Sequence, residues 1–524
     1  MNSKLIASTA LAAAALLALS GCAGSTPSPS GGVAPSDSQA PASQSIVIDA
    51  SFDAFETMDP ARARSSMGVL TAHALYETLV TYEGGDMATA VPGLASLEIA
   101  DEFKTFTFTL VPDRKFASGN AVTTDDVVFS LQRVQNLGTN NSVPLEGLKI
   151  EKVDESVVKI TSETPNAALP AILAAPGYSV IEKAAAVAAG GTTDENDAAE
   201  ASLNATSIGS GPYIIEKGDF TAEIVLALNP NYNGPQKPGY SRVILRKADA
   251  STQKMSLEAG ESQVALDLSP AEGASLDPSM VYSTASVANV YAISNFSKLG
   301  VDTLTGLKAA IDYSALTGLA GAGAKESTGL IPRQFAGAAP EADAPKFDIE
   351  KAKKYAAGYT DTIKLSYLSD ASIYGLQFTS LAEKLQAQWQ AAGFKVELAP
   401  TPGSVFWDDY VNGKLDVGLA YWMPDYLDPA GYLVFSPTVD FGRVYANWDK
   451  GSPELVAAVE AASTAADETA RIKAFEDFGR LSNAESPFIP IFQPALNIGH
   501  AANVSGLVYN AGWTIDVALL QPVA

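Results

Sequence analysis

Cysteine, histidine and positive charge are what this chain has least of. It has one cysteine, Cys22, and two histidines, His73 and His500, in 524 residues. A single thiol excludes a disulfide within the chain, and two scattered histidines leave no cluster for a zinc site. Neither histidine has a nucleophile pattern around it, so both read as structural. The HExxH, CxxC, GxSxG and GxGxxG patterns are all missing. No catalytic residue, metal or cofactor is expected. Lysine and arginine number 34 against 59 acids, a net charge of −25. That balance argues against nucleic acid as a partner, because phosphates need cations facing them. It is compatible with a cationic or zwitterionic ligand. Five tryptophans are too few over this length to favour a long sugar-stacking cleft.

What is present suits a folded, exported protein. Hydrophobic residues make up 47% of the chain, and its length suits two or three domains at roughly 100–200 residues each. Lys4 and an apolar run from Leu5 to Leu19 have the layout of a signal peptide over residues 1–21, with a run short for a membrane span. The run ends Leu19-Ser20-Gly21-Cys22, which resembles a bacterial lipobox. That resemblance implies lipidation of the Cys22 thiol, with Cys22 as the mature first residue; more than one acyl chain makes such an anchor stable. Residues 22–45 then read as a tether of Ser, Pro, Gly and Ala, with almost no side chain that could build a core.

From Ile46 onward, patterns of period two and 3.6 alternate. Ile46–Ala50 reads as a strand, Ser65–Tyr82 as a helix, and Lys104–Leu110 as a half-buried strand with Phe106, Phe108 and Leu110 on one face. Thr123 is placed as the N-cap of a helix carrying Val127, Val128 and Leu131. Strands follow over Lys149–Ser162, and the alanine-rich stretch Ala167–Gly191 reads as partly helical. Gly209-Ser210-Gly211-Pro212-Tyr213 lacks the lysine of a phosphate loop. Further on, Thr362–Leu368, a helix carrying Leu381, Leu385 and Trp389 and ended by Gly393, Phe394–Leu398, Ser404–Val411 and Leu415–Trp422 alternate strand and helix. That alternation implies a parallel sheet. Ser452-Pro453 opens a long helical region, with Ile472, Phe475 and Leu481 as its core.

The strand Leu415–Trp422 should end at Pro424, which cannot donate to a ladder, and Asp425 follows at once. An acid just past a strand end, flanked by aromatics, can hold a cation. By spacing alone, Asp425 and Asp428 read first as turn formers, as acids near proline often are.

Trp422-Met423-Pro424-Asp425 followed by Tyr426-Leu427-Asp428-Pro429 resembles the ligand-facing segment of the oligopeptide- and dipeptide-binding proteins, family 5 of the extracellular solute receptors of ABC importers. Other phrases resemble the same family. They include Met58-Asp59-Pro60-Ala61, Val91-Pro92-Gly93-Leu94, the block from Phe116 through Thr123 to Ser130, and Gly209 to Tyr213. The resemblance runs from about Ile46 to about Gln521, although the tryptophan usual after Val91-Pro92 is Leu97 here and the histidine usual after Phe116 is Ala117.

The resemblance implies an α/β, two-lobed periplasmic-binding-protein-like fold of type II, with an extra subdomain in the first lobe. The expected divisions are lobe I over 46–92, the subdomain over 93–208, lobe I again over 209–288, lobe II over 289–491 and a return to lobe I over 492–524. Within that scheme Asn289–Asn295 crosses to the second lobe, and Ile489–Phe492 and Gly506–Tyr509 return to the first. The resemblance also implies a monomeric lipoprotein on the outer face of the bacterial cell membrane, holding a peptide for ABC permease subunits. Asp425 takes the peptide's α-ammonium. Ala420, Tyr421, Trp422 and Met423 meet its backbone, and Tyr291, Ser66 and Met67 are further cleft candidates. A non-peptide solute in the same fold, such as an oligosaccharide, nickel chelate or opine, is the alternative.

Overall fold

A computed structural model of the chain describes residues 44–52 and 55–523. The signal peptide, Cys22 and almost all of the tether lie outside the described residues.

Ile46 and Ile48 are fully buried, and their strand, Ser45–Ala50, lies in the middle of a seven-stranded sheet. It pairs in parallel with Arg242–Lys247 on one side and Val264–Leu268 on the other. The outer strands, from Tyr213–Asp219 at one edge to Val281–Ala285 at the other, add on antiparallel. Leu226, Val243, Leu245 and Ile498 complete the core of this first lobe.

The helix expected over Ser65–Tyr82 is shorter, Ser66–Leu75, with Ser65 capping it by accepting from the Gly68 N–H. Tyr76 is already extended. The reason lies far along the chain. Gly211 donates to the Leu75 carbonyl at 3.1 Å, and a Cβ on Gly209 would stand 2.2 Å from that oxygen. The returning backbone occupies the space the next helical turn would need, and only glycine allows that approach.

A four-stranded antiparallel sheet, ordered Ala95–Ala100, Thr105–Leu110, Val157–Thr161 and Lys149–Lys152, forms the extra subdomain. Helix Thr124–Asn136 packs on it. Thr123 and Asp126 cap that helix reciprocally, side chain to backbone in both directions. Arg133, 1% exposed, reaches from the helix to Asp59 at 2.9 Å and to Asp197 at 2.7 Å. The Met58–Arg62 turn is thereby tied to the subdomain.

The second lobe is built on a six-stranded sheet, ordered Lys325–Glu326, Phe488–Gln493, Asn289–Ser294, Val417–Trp422, Thr362–Leu368 and Lys395–Thr401. Its last three strands are parallel, as strand–helix alternation predicts. Asn289–Ser294, however, runs antiparallel to both of its neighbours.

Two positions differ from the sequence reading. Asn289–Asn295 does not cross between lobes; all six residues of Asn289–Ser294 are buried inside the second sheet, and residues 286–288 make the crossing. Phe488–Gln493 also belongs to the second sheet, so Ile489–Phe492 does not return; the return is Ala495–His500 after Pro494. The two crossings touch, with the Ser286 N–H donating to the Pro494 carbonyl at 2.9 Å. Apolar runs such as Phe488–Gln493 fit the core of either lobe equally well, so hydrophobicity does not decide which sheet they join.

Candidate functional site: the cleft between the lobes

Val417–Trp422 carries the site from the second core to the cleft. It pairs with Asn289–Ser294 along its whole length, from Val417 to Trp422. Its ladder with Thr362–Leu368 stops at Leu419. Ala420, Tyr421 and Trp422 therefore lie beyond that ladder while still pairing with Asn289–Tyr291. Ala420 is fully buried, while Tyr421 and Trp422 are half-buried. Tyr421 stacks on Phe378 at 6.0 Å between ring centroids, and Trp422 meets Tyr432 and Phe435 edge-on at 4.9 and 5.2 Å. These contacts fix the strand end and aim the chain past Pro424 into a bend.

Asp425 sits in that bend and is exposed to solvent. Desolvation raises its carboxyl above the ordinary aspartate range, and the positive charge of Arg64, from the first lobe, draws it partly back. Asp425 in turn acts on Tyr178 and Tyr426, whose phenols are pushed up by burial first and by its charge second or third. The Tyr178 hydroxyl is buried with no hydrogen-bond partner among the described residues. Asp428, three residues on, is different. It pairs with Arg471 and accepts the Ala430 N–H at 2.8 Å, capping the turn Pro429–Phe435. One acid is thus consumed by the fold, whereas the field of Arg64 opposes the desolvation of the other.

Beside this bend the lobes enclose a cavity of about 30 Å³, room for about one water. Ser66, Met67 and Asp267 of the first lobe line it, with Tyr374 and Met423 of the second. Tyr509 lines it too, and its side chain is 5% exposed.

Ser66, Met67 and Met423 therefore meet at one cavity, next to Asp425. Tyr291 does not join them. It is 1% exposed, packed on Phe435 at 5.4 Å, and its hydroxyl meets that of Tyr410 at 3.1 Å inside the second lobe. Phe435, Phe488 and Tyr410 cover its ring on that face of the sheet, which leaves it no route to the cleft. Sequence reasoning missed Arg64, Tyr178, Tyr374 and Tyr509. Arg64 had a signal, a cation within the Met58–Met67 block, but the three tyrosines are brought in by tertiary packing alone. Among the described residues no group of three or more His, Cys, Asp or Glu side chains could hold a metal ion, and no helix is long and apolar enough to cross a membrane.

Two lobes on separate sheets, joined by two touching crossings with a cleft between them, define a receptor of the periplasmic-binding-protein type. The chain belongs to the bacterial extracellular solute-binding proteins, family 5, whose model for the middle part of the family matches residues 89–438. It is 28% identical to di/tripeptide-binding protein 2 of Pseudomonas aeruginosa (strain UCBPP-PA14), over 86% of this chain and 90% of that one. It is 25% identical to the probable D,D-dipeptide-binding periplasmic protein DdpA of Escherichia coli (strain K12), over 87% and 90% of the two chains. Among solved structures, the ABC transporter substrate binding protein CtaP of Listeria monocytogenes superimposes with a TM-score of 0.80 at 20% identity. That match covers 92% of this chain and 99% of the other.

Proposed function

We propose that the protein is the substrate-binding component of an ABC importer, capturing short peptides between its lobes and delivering them to a membrane permease. Asp425 carries this reading. It is an accessible carboxylate just past a strand that runs on beyond its ladder with Thr362–Leu368, and the charge of Arg64 acts on it. A peptide zwitterion complements both features. Its α-ammonium meets Asp425 and its backbone adds to the edge at Ala420–Trp422, a mode that gives affinity without selecting side chains. The Arg64 charge, which acts on Asp425, favours carbonyl or carboxylate oxygen of the ligand near it. The relatives named for di/tripeptides and D,D-dipeptides support a short-peptide ligand. Native mass spectrometry of purified protein with an equimolar pool of di- and tripeptides tests it. Retained masses equal to pool members are expected; retention of a sugar or metal chelate instead overturns the peptide ligand.

The same reading places the receptor, as a monomer, on the outer face of the cell membrane, held by lipid on Cys22. Cys22→Ala should move the protein to the soluble fraction and abolish lipid labelling; unchanged membrane retention and labelling would remove the anchor from the account.

A further inference from the structure

Three partly buried side chains among the described residues pack against both hydrophobic cores: Met87, Ala511 and Tyr374. Only Tyr374 comes from the second lobe. It sits at the tip of a hairpin formed by Ser372–Ile373 and Leu376–Gln377. Tyr374 has φ +47° and Gly375 φ +75°, the pair of left-handed residues that a tight two-residue hairpin turn requires. Glycine takes this conformation freely, whereas tyrosine pays roughly 1–2 kcal/mol for it, so surrounding contacts must hold it there.

Those contacts are in the first lobe. A Cβ on Gly375 would lie 2.5 Å from Ser269, the residue that caps the first-lobe helix Pro270–Ser275, so the tip is seated directly on that cap. The Tyr374 ring forms the cavity wall together with Met67, Asp267, Tyr509 and Met423, and its hydroxyl lies 3.8 Å from the Met423 sulfur. Met423 is two residues from Asp425, a span of at most about 7 Å of extended chain. A ligand that starts at Asp425 and runs along the strand end meets the Tyr374 ring after about two of its own residues.

We propose that Tyr374 is the specificity-determining end wall of the cleft and limits the ligand to peptides of two or three residues. This rests on the peptide reading and on the ammonium lying at Asp425. The wall is steric: the strained turn drives the ring across the lobe interface, and the seat on Ser269 stops it from being pushed back by a longer ligand.

Calorimetry on purified full-length parent, Tyr374→Ala, Tyr374→Leu and Tyr374→Phe, with di-, tri- and penta-alanine, tests this. The parent should bind di- and tri-alanine and bind penta-alanine at least 100-fold more weakly. Tyr374→Ala should bring penta-alanine within 10-fold of tri-alanine and leave di-alanine no tighter. Tyr374→Phe keeps the ring and should keep the parent's discrimination. Tyr374→Leu, a smaller loss of volume, should relax it partway and serves if the alanine variant does not melt cooperatively. A parent that binds tri- and penta-alanine equally overturns the end wall and leaves the peptide reading standing. Folded alanine or leucine variants that discriminate like the parent also overturn it. Failure of all three peptides on the parent overturns the peptide reading, and the end wall with it.

Discussion

At the scale of single residues, the molecule places charge where burial makes it costly. Asp425 is raised by desolvation, and Arg64 offsets only part of that. Its ionised form is the one that binds an ammonium, so affinity should fall on acidification through a pKa higher than that of an ordinary aspartate. Binding isotherms from pH 7 downward check this, and an affinity flat to the normal aspartate range would contradict it. Lys308 is a second case. It is 8% exposed, its ammonium donates to the Asn483 carbonyl at 3.0 Å, and burial pushes it down to about 7 against the pull of Glu485. The unfolded chain holds that proton up to about pH 10.4, so between the two pKa values it binds more protons than the folded one. Stability therefore rises with pH across that window, and the full penalty, on the order of 3–5 kcal/mol, is present below it. Lys308→Met should raise the melting temperature most at pH 6, with the gain shrinking toward pH 10. A gain independent of pH would mean that packing, not charge, is responsible.

At the scale of elements, the subdomain is held to the first lobe by the Asp59–Arg133–Asp197 cluster, all three side chains at most 1% exposed. Burial alone would push Asp197 up, but Arg133 and Arg62 hold it down to about 2. A depressed carboxylate contributes stability that is present above the unfolded value near 3.9 and lost as pH falls toward 2. Asp197→Asn leaves Arg133 short of one buried countercharge and should cost about 3–5 kcal/mol, read by denaturant unfolding at pH 7. It should also remove part of the acid-induced loss between pH 4 and 2. Elements like these show what a sequence displays and what it hides. The strand carrying Phe106 and Phe108, the Thr123 cap and the Ser452 cap are legible because local periodicity and capping chemistry decide them. The early end of Ser66–Leu75 and the inner position of Asn289–Ser294 are not, because backbone more than 100 residues away decides them. Within the site, Asp425, Met423, Ser66 and Met67 lie on segments that short motifs point to. Tyr178, Tyr374 and Tyr509 carry no local mark; only the packing of distant segments brings their rings and hydroxyls to the cleft. Tyr291 fails for the converse reason: nothing local in the sequence marks that Phe435, Phe488 and Tyr410 cover its ring.

At the scale of the whole molecule, the crossings at residues 286–288 and Pro494 are hydrogen-bonded neighbours, so a small backbone change there can rotate one lobe against the other. The lobes leave a cavity of about 30 Å³ at Met423 and another of about 270 Å³ at Tyr426. Hinge closure around a ligand is the general behaviour of periplasmic binding proteins. Small-angle scattering should give a smaller radius of gyration with a bound dipeptide than without; an unchanged radius under confirmed binding would leave capture without its motion. The central claim is narrower than the motion, namely that the Asp425 charge holds the peptide's α-ammonium. Calorimetry with one bound dipeptide and its N-acetylated form, on the parent and on Asp425→Asn, tests it most directly. The parent should lose two to four decades of affinity on acetylation, the worth of a broken buried ion pair at about 3–5 kcal/mol. Asp425→Asn should lose as much for the free peptide while remaining folded, and should discriminate little between the two forms. If the acetylated peptide binds the parent as tightly as the free one, Asp425 does not hold an ammonium and the account of the site is wrong.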